Sequence, residues 1–288
     1  MKKISIVILN YINYKDTIEC IESIFEMNYR YEGIVVVDNN SENESVKILN
    51  KKYKDNKKII IVKARHNYGF AKGNNIGICI ARRKFHTDFV FVVNNDTVFV
   101  KKDYFKRLLE CYSDGIGVLG SEIHLKGNII QKERFYDISV WGTLYNLLDL
   151  YLKKLDKTSW LLLFPENKCK KKVRVLHGCA VLFTPDFFKY YDGFYEKTFL
   201  YAEELILYLM CKKYGLRQLY VHDTYIYHKE DQSSQASFQN VPEIIWHYRI
   251  QSYKFLLWWT VKDKVNEILS YMKNTKRYGI VYGSTAKL

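Results

Sequence analysis

The sequence predicts an α/β fold of buried parallel strands joined by crossover helices, and three observations predict it. Apolar runs of strand length recur through the first hundred residues, at 4–9, 34–37, 59–62 and 89–93. They stand roughly one strand–helix unit apart, as parallel strands with crossover helices do. Each ends in an Asn or Asp, or runs shortly into one: Asn10, Asp38, Asn67 and then Asn94-Asn95-Asp96. In open α/β sheets ligands bind outside the carboxyl ends of the strands. Polar residues repeated at those ends therefore point to one shared cleft.

The elements follow in order. After Asn10, the spacing Asp16-x-x-Glu19 predicts a helix start, and Ile18, Ile21 and Phe25 recur at helical spacing. The second strand ends at Asp38 and the turn Asn39-Asn40-Ser41, before a helix to about Tyr53. The third leads into residues 66–75, a Gly/Asn-rich loop entering a helix, and the fourth into a helix from about Lys102 to Tyr112. In the second half, Trp141, Leu144, Leu147, Leu148, Tyr151, Leu152 and Leu155 keep helical spacing within residues 138–172. An apolar run at 160–164 and a lysine run at 168–172 follow. Residues 173–183 read as one buried strand containing Gly178, residues 203–214 as a helix, 218–221 and 224–227 as two short strands. One or two Trp- and Tyr-rich helices fill 241–273, and the last dozen residues are expected to fray.

At 288 residues the chain can bury a full core, and its 48% apolar content argues against disorder. The formal charge of +14 calls for an anionic partner: nucleic acid, a membrane surface or a phosphorylated small molecule. No zinc-finger spacing or RNP-like motif accompanies it, so nucleic acid is the weakest of the three. The six cysteines show no C-x-x-C pairing and sit mostly on apolar faces, which fits a reduced, cytoplasmic protein. No apolar run reaches the roughly 18 residues of a membrane span. Residues 115–120 spell G-x-G-x-x-G, but a helix precedes them and a strand contains them, the reverse of the dinucleotide fingerprint.

Taken singly, the polar residues have two readings each. Asp38 can accept hydrogen bonds from a base or ribose, or simply form a turn. Asp96 suits Mg²⁺ or Mn²⁺, or caps the next helix. Glu203-Glu204 opens a helix, where acids are favoured by the dipole alone. His228 closes a strand, where a lone His is more often structural than a ligand.

Their order along the chain resembles the family 2 glycosyltransferases of GT-A fold, in the bacterial rhamnosyltransferase-like branch. The stretches that carry the resemblance are Ser5-Ile6-Val7-Ile8-Leu9-Asn10-Tyr11, Val35-Val36-Val37-Asp38-Asn39-Asn40-Ser41, Asn67-Tyr68-Gly69-Phe70-Ala71-Lys72-Gly73-Asn74-Asn75-Ile76-Gly77 and Val93-Asn94-Asn95-Asp96-Thr97. The later ones are Gly178-Cys179-Ala180, Gly193-Phe194-Tyr195-Glu196, Phe199-Leu200-Tyr201-Ala202-Glu203-Glu204 and Tyr227-His228. The resemblance implies a Rossmann-like nucleotide-binding half, a mixed central sheet, a transferase domain over 1–234 and a helical extension over 235–288. It implies that Asn10, Tyr11, Asp38, Asn40, Asn67, Gly73, Asn74, Asn94 and Asn95 serve the nucleotide sugar, with Gly178 and Cys179 near the donor sugar or acceptor. Asp96 and His228 would hold Mn²⁺ or Mg²⁺ on the diphosphate, and Glu204 or Glu203 would be the base. The family usually has Asp where Glu204 stands, Asp at Ile206 and Arg at Met210.

The expected activity is inverting, metal-dependent transfer from a dTDP- or UDP-linked sugar, rhamnose on the branch resemblance, to a glycan or lipid-linked acceptor of capsule, O-antigen or cell wall. The alternative is a non-catalytic nucleotide-sugar-binding or scaffold subunit. A sugar-1-phosphate nucleotidyltransferase would carry a Gly-rich basic loop where Asn10-Tyr11-Ile12-Asn13-Tyr14 stands. The Trp-bearing helices beside the lysine run offer a peripheral contact with an anionic inner membrane face, and the helix from Trp246 to Trp259 offers a homodimer interface.

Overall fold

The structure, a computed structural model, describes residues 2–127, 129–155, 172–229 and 242–277, the last stretch with side chains for 243–269. Its elements are β1 (Ile4–Asn10), α1 (Tyr14–Phe25), β2 (Gly33–Asp38), α2 (Ser45–Tyr53), β3 (Ile59–Lys63), α3 (Gly69–Phe85), β4 (Phe89–Asn94), β5 (Thr97–Val98), α4 (Tyr104–Glu110), β6 (Ile116–Leu125), β7 (Ile129–Ile130), β8 (Arg134–Tyr136), α5 (Val140–Lys154), β9 (Val173–Val175), β10 (Ala180–Phe183), α6 (Pro185–Phe188), α7 (Glu203–Lys213), β11 (Arg217–His228) and α8 (Pro242–Arg277).

The main sheet runs β3-β2-β1-β4-β10-β6-β11-β5, with β7 paired to β6. β3, β2, β1 and β4 are parallel, β10 is antiparallel to both neighbours, and β5 is antiparallel to β11. The four parallel strands are apolar almost throughout because both faces are covered. Ile4, Ile6, Ile8, Ile34, Val36, Phe89 and Phe91 point to the α1, α2 and α4 side, where Ile21, Leu49 and Phe105 meet them. Val7, Val35, Val37, Val90 and Val92 point the other way, against Ala71 and Ile78 of α3. Strand alternation thus supplies two cores from one sheet.

Several boundaries differ from the sequence reading. The cap of α1 is Asn13, whose side chain accepts from Asp16 N, so the helix begins two residues before Asp16. Asp16 and Glu19 instead hold Lys229 Nζ at 2.7 and 2.5 Å. Gly73, Asn74 and Asn75 lie within α3, not in a loop before it. Residues 173–183 form two strands in different sheets: β9 pairs with β8, whereas β10 enters the main sheet. Between them His177 Nδ1 accepts from Cys179 N at 3.1 Å and fixes the turn. The two short strands expected at 218–227 are one, β11, with a bulge between Val221 and Tyr225 that absorbs His222-Asp223-Thr224.

α8 is one helix packed on α5 and α7. Leu256 and Trp259 sink into the second core, and Asp263 and Glu267 turn inward to Lys212 at 2.6 and 2.8 Å. Its outer face leaves Trp258, Val261, Val265, Ile268 and Leu269 exposed. Among the described residues no helix is long and apolar enough to cross a membrane, and five cysteines are free. The 160–164 run, the lysine run up to Lys171, Cys169 and the last eleven residues lie outside the described residues.

Candidate active site

Asn10, Asp38 and Asn94 close the three adjacent strands β1, β2 and β4, so the parallel register sets them side by side: Asn10 pairs with Asp38, and Leu9 with Asn94. Asn10 and Asp38 have no exposed surface. Asn10 Nδ2 donates to Asp38 Oδ2 at 2.6 Å, and Thr17 Oγ1 donates to Asn10 Oδ1 at 2.7 Å. Ser41 donates twice to the same carboxylate, N to Oδ1 at 2.8 Å and Oγ to Oδ2 at 2.7 Å. Ile12, at a φ of 63° that a β-branched residue rarely adopts, is held by donation from its N–H to Ser41 Oγ at 2.7 Å. The loop after Asn10 and the turn after Asp38 are therefore one hydrogen-bonded unit.

That unit extends to the third strand. Asn39 Nδ2 donates to Asn67 Oδ1 at 2.8 Å and to Gly69 O at 3.1 Å, and its Oδ1 accepts from Tyr68 N at 3.0 Å. Asn39 rather than Asn40 orders the loop; Asn40 occupies a left-handed turn position at φ 64°, which Asn tolerates. Gly73 lets α3 approach β1, since a Cβ there would meet Leu9 Cδ1 at 2.7 Å. Asn74 donates to Phe70 O at 3.0 Å. Asn95 turns toward α1, donating to Asn13 O at 3.0 Å and Thr17 Oγ1 at 3.1 Å.

Next to this unit opens a cleft of about 480 Å³, which Asn94, Asp96, Gly178, Cys179, Glu204 and His228 line together. Topology brings the distant pair into contact. The antiparallel pairing of β11 with β5 sets His228 opposite Thr97, and Lys229 N donates to Asp96 O at 3.0 Å. Asp96 Oδ1 and His228 Nε2 then lie 3.2 Å apart, both side chains buried. Despite that distance neither atom makes a hydrogen bond, and His228 Nδ1 has no partner either. Two buried, unsatisfied acceptor-capable atoms converging on one point fit the ligands of a divalent cation. Two protein ligands also suit Mg²⁺ or Mn²⁺, which complete their shell with phosphate and water. Among the described residues no cage of three or more such side chains exists.

At the other end stands the acidic pair. Tyr201 and Ala202 take left-handed conformations at φ 76° and 63°, strain that turns the chain into α7 and aims its first residues at the cleft. Glu203 is buried, and Oε1 has no hydrogen-bond partner. Burial, with the charge of Glu204 second, lifts its carboxyl to about 8. Glu204 keeps 24% of its side chain exposed, with Arg134 Nη1 3.9 Å from Oε1. Gly178 faces it: a Cβ there would stand 3.1 Å from Glu204 Cγ and Oε1. Between the two ends His177 packs edge-on against His228 at 5.7 Å between ring centroids. Burial, then the charges of Arg134 and His228, hold His177 well below the ordinary histidine range. Burial likewise pushes the Cys179 thiol well up, with Asp96 adding to it.

The family described as glycosyl transferase family 2 matches residues 5–170, more than half the chain. The chain belongs to this family. Solved structures of the GT-A fold superpose on the family 2 chain. S. aureus TarS 1-349 does so with a TM-score of 0.52 at 15% identity, covering 91% of this chain and 71% of that one. The mannosyltransferase PcManGT from Pyrobaculum calidifontis, in complex with GDP-Man and Mn²⁺, gives 0.54 at 13% identity over 91% and 73%. GalNAc-T7, with UDP, GalNAc and Mn²⁺, gives 0.59 at 15% identity; the chain spans 45% of its length. These likenesses establish a GT-A fold. No curated protein sequence matches the chain.

The family's pattern and this chain part at α7, and the structure shows what stands there. Ile206 and Met210 are both buried in the second core, one helical turn apart. Where the resemblance implied Asp and Arg, this family 2 chain has two buried apolar side chains, and replacing a buried ion pair by apolar residues is often neutral or stabilising. The cleft also holds residues that the sequence reading missed: His177, Arg134, Tyr136, Arg249 and Tyr253. His177 precedes Gly178 directly and was legible by proximity, whereas the other four carry no motif.

Proposed function

We propose that the chain transfers a sugar, with inversion, from a nucleoside diphosphate sugar to a hydroxyl of a glycan or lipid-linked acceptor. One observation carries the reading: the cleft has a cation-type pair, Asp96 and His228, at one end and an accessible carboxylate, Glu204, at the other. When bound, a divalent ion would neutralise the leaving diphosphate without proton transfer. Asp96 and His228 would hold it. The unit of Asn10, Asp38 and Ser41, with Tyr11, Asn40, Asn67, Gly73 and Asn74, orders the nucleoside end. Asn94 and Asn95 carry the chain from that unit to Asp96.

Glu204 is the base. It takes the proton of the acceptor hydroxyl as the oxygen attacks the anomeric carbon; the bond to the diphosphate breaks on the opposite face and its electron pair leaves with the diphosphate. Glu203, protonated near neutral pH, is a poor proton acceptor and serves beneath Glu204. Gly178 leaves room for the base, and Cys179 lines the wall toward the donor sugar. We assign residues 1–234 to the transferase body and 235–288 to an extension, whose described helix α8 packs on α5 and α7.

The donor proposed from the branch resemblance is dTDP-rhamnose, with UDP sugars as the other choice, for bacterial surface polysaccharide made at the cytoplasmic face. The exposed Trp258, Val261, Val265, Ile268 and Leu269 support peripheral contact with an anionic bilayer. Lys254, Lys262 and Lys264 flank that stripe, while Asp263 and Glu267 bind Lys212 and Glu267 also pairs with Lys264. A second copy on the same face would oppose lysine to lysine. Sedimentation with anionic vesicles at low salt, reduced by Trp258→Glu, is the expected result.

A thermal-shift screen of nucleoside diphosphates and their sugars, with and without Mn²⁺, tests the core of the proposal. Stabilisation by one nucleotide only when metal is present is expected. Glu204→Gln should keep that shift and lose transfer. Donor binding by the unaltered protein without any turnover would make it a nucleotide-sugar-binding subunit instead.

A further inference from the structure

The transferase reading uses one end of the cleft and its base, and leaves one wall without a task. That wall carries Arg134 and Tyr136 of β8 and Arg249 and Tyr253 of α8. Among the described residues, none of these four side chains hydrogen-bonds to a protein acceptor. Arg249 has no ion pair there either; its guanidinium stacks on Tyr201, 4.8 Å from the ring centroid, and lies 5.8 Å from Trp246. The nearest acid to Arg134 is Glu204, at a loose 3.9 Å. Burial pushes the Tyr253 phenol up to about 12, so its hydroxyl stays a donor at neutral pH. The wall is thus rich in donors, two of them cationic and planar, and apart from the loose contact of Arg134 with Glu204 neither guanidinium has an acid to hold it among the described residues.

Such a wall suits an oxyanion, which guanidinium groups bind through paired N–H donors. The donor's own diphosphate already has a cation site in the pair Asp96 and His228, and neither of those side chains contacts an arginine among the described residues. Arg134 stands instead beside Glu204, and the base of a glycosyl transfer must lie within hydrogen-bond reach of the attacking hydroxyl. Whatever Arg134 and Arg249 bind therefore belongs to the acceptor.

Resting on the transferase reading of the cleft, we propose that Arg134 and Arg249, with the hydroxyls of Tyr136 and Tyr253, hold an oxyanion of the acceptor close to its reacting hydroxyl. A phosphate or a sugar carboxylate would supply the same chemistry. The acceptor is on this account an anionic glycan or glycolipid, and the two arginines are specificity-determining residues.

Calorimetric titration of inorganic phosphate, and in a separate arm of glucuronate, into protein saturated with its nucleoside diphosphate and Mg²⁺ tests this. Saturable binding in one arm is expected and names the anion. Arg249→Ala and Arg134→Ala should each weaken it by about tenfold or more, while nucleotide affinity stays within about twofold. Arg249→Lys, which keeps the charge and loses the fork, should fall between and serves if the alanine variant folds poorly. No saturable binding in either arm, undiminished binding by the variants, or one-for-one displacement of phosphate by the nucleotide would overturn the assignment. Should no nucleoside diphosphate bind at all, the donor reading fails separately. The arginine wall is then judged by the same variants and anions on ligand-free protein.

Discussion

Glu203→Gln isolates what a buried acid costs this fold. Folded, the carboxyl titrates at about 8 against an ordinary 4.5, because burial and then Glu204 disfavour its charge. Unfolded, it titrates near the ordinary value. Between those two values the folded chain keeps a proton that the unfolded chain has released, so stability falls as pH rises through that window and levels off above about 8. The slope is about 1.4 kcal/mol per pH unit, which makes roughly 3 kcal/mol of stability present in acid and absent at pH 7. Glutamine has the same shape and no charge to suppress. The variant should therefore be the more stable at pH 7 by up to about 3 kcal/mol, less about 1 kcal/mol for an amide donor without an acceptor. Near pH 4.5 the advantage should vanish. Urea unfolding of both proteins from pH 4.5 to 8.5 reads this directly. A stability difference that stays constant with pH would refute a neutral Glu203. Loss of transfer in Glu203→Gln, alongside retention in Glu204→Gln, would reverse the assignment of the base.

Gly178→Ala sets a methyl 3.1 Å from the Glu204 carboxylate arm. Stability should change by less than about 1 kcal/mol, because a side chain can yield, while turnover falls on the order of 10- to 100-fold through misplacement of the base. Unchanged turnover would detach Glu204 from the chemistry. Gly69→Ala combines a φ of +75° with a Cβ 2.1 Å from the carbonyl oxygen of Phe199, which also accepts from Phe70 N at 2.8 Å. It should cost more than about 3 kcal/mol, and a melting temperature equal to the parent's would contradict the local geometry. His228→Ala should abolish the metal-dependent part of the nucleotide's thermal shift while leaving any metal-free part intact; a full shift would place the cation elsewhere.

The parallel half, β1 to β4, was legible in the sequence because its strands are buried on both faces. Continuous apolar runs ending in Asn10, Asp38 and Asn94 leave little freedom, and the parallel register does the rest. The pairing of Asp96 with His228 was legible only through resemblance, since the contact depends on how β11 meets β5. Residues 173–183 misled as one strand because both pieces are rich in valine and other apolar residues, and the turn at His177 is signalled only by the glycine that follows. Arg134 and Arg249 were invisible for another reason. A cation in a cleft and a cation on a solvated face look identical in a string, and only β8 and α8 folding onto the cleft separate them.

The pairing of β5 with β11 also bears on when the site comes into being. β5 has two residues and its partner is the last strand of the sheet, so Asp96 waits for α4, β6, β10 and β11 before it meets His228. Contacts so distant along the chain carry a loop-closure penalty and form late. The β1–β4 half, rich in neighbouring strand pairs, can assemble first as the chain leaves the ribosome. On the proposed function, a nascent chain would then hold the Asn10–Asp38 unit while still lacking the Asp96–His228 pair. Synthesis order itself would keep an incomplete enzyme from spending its donor.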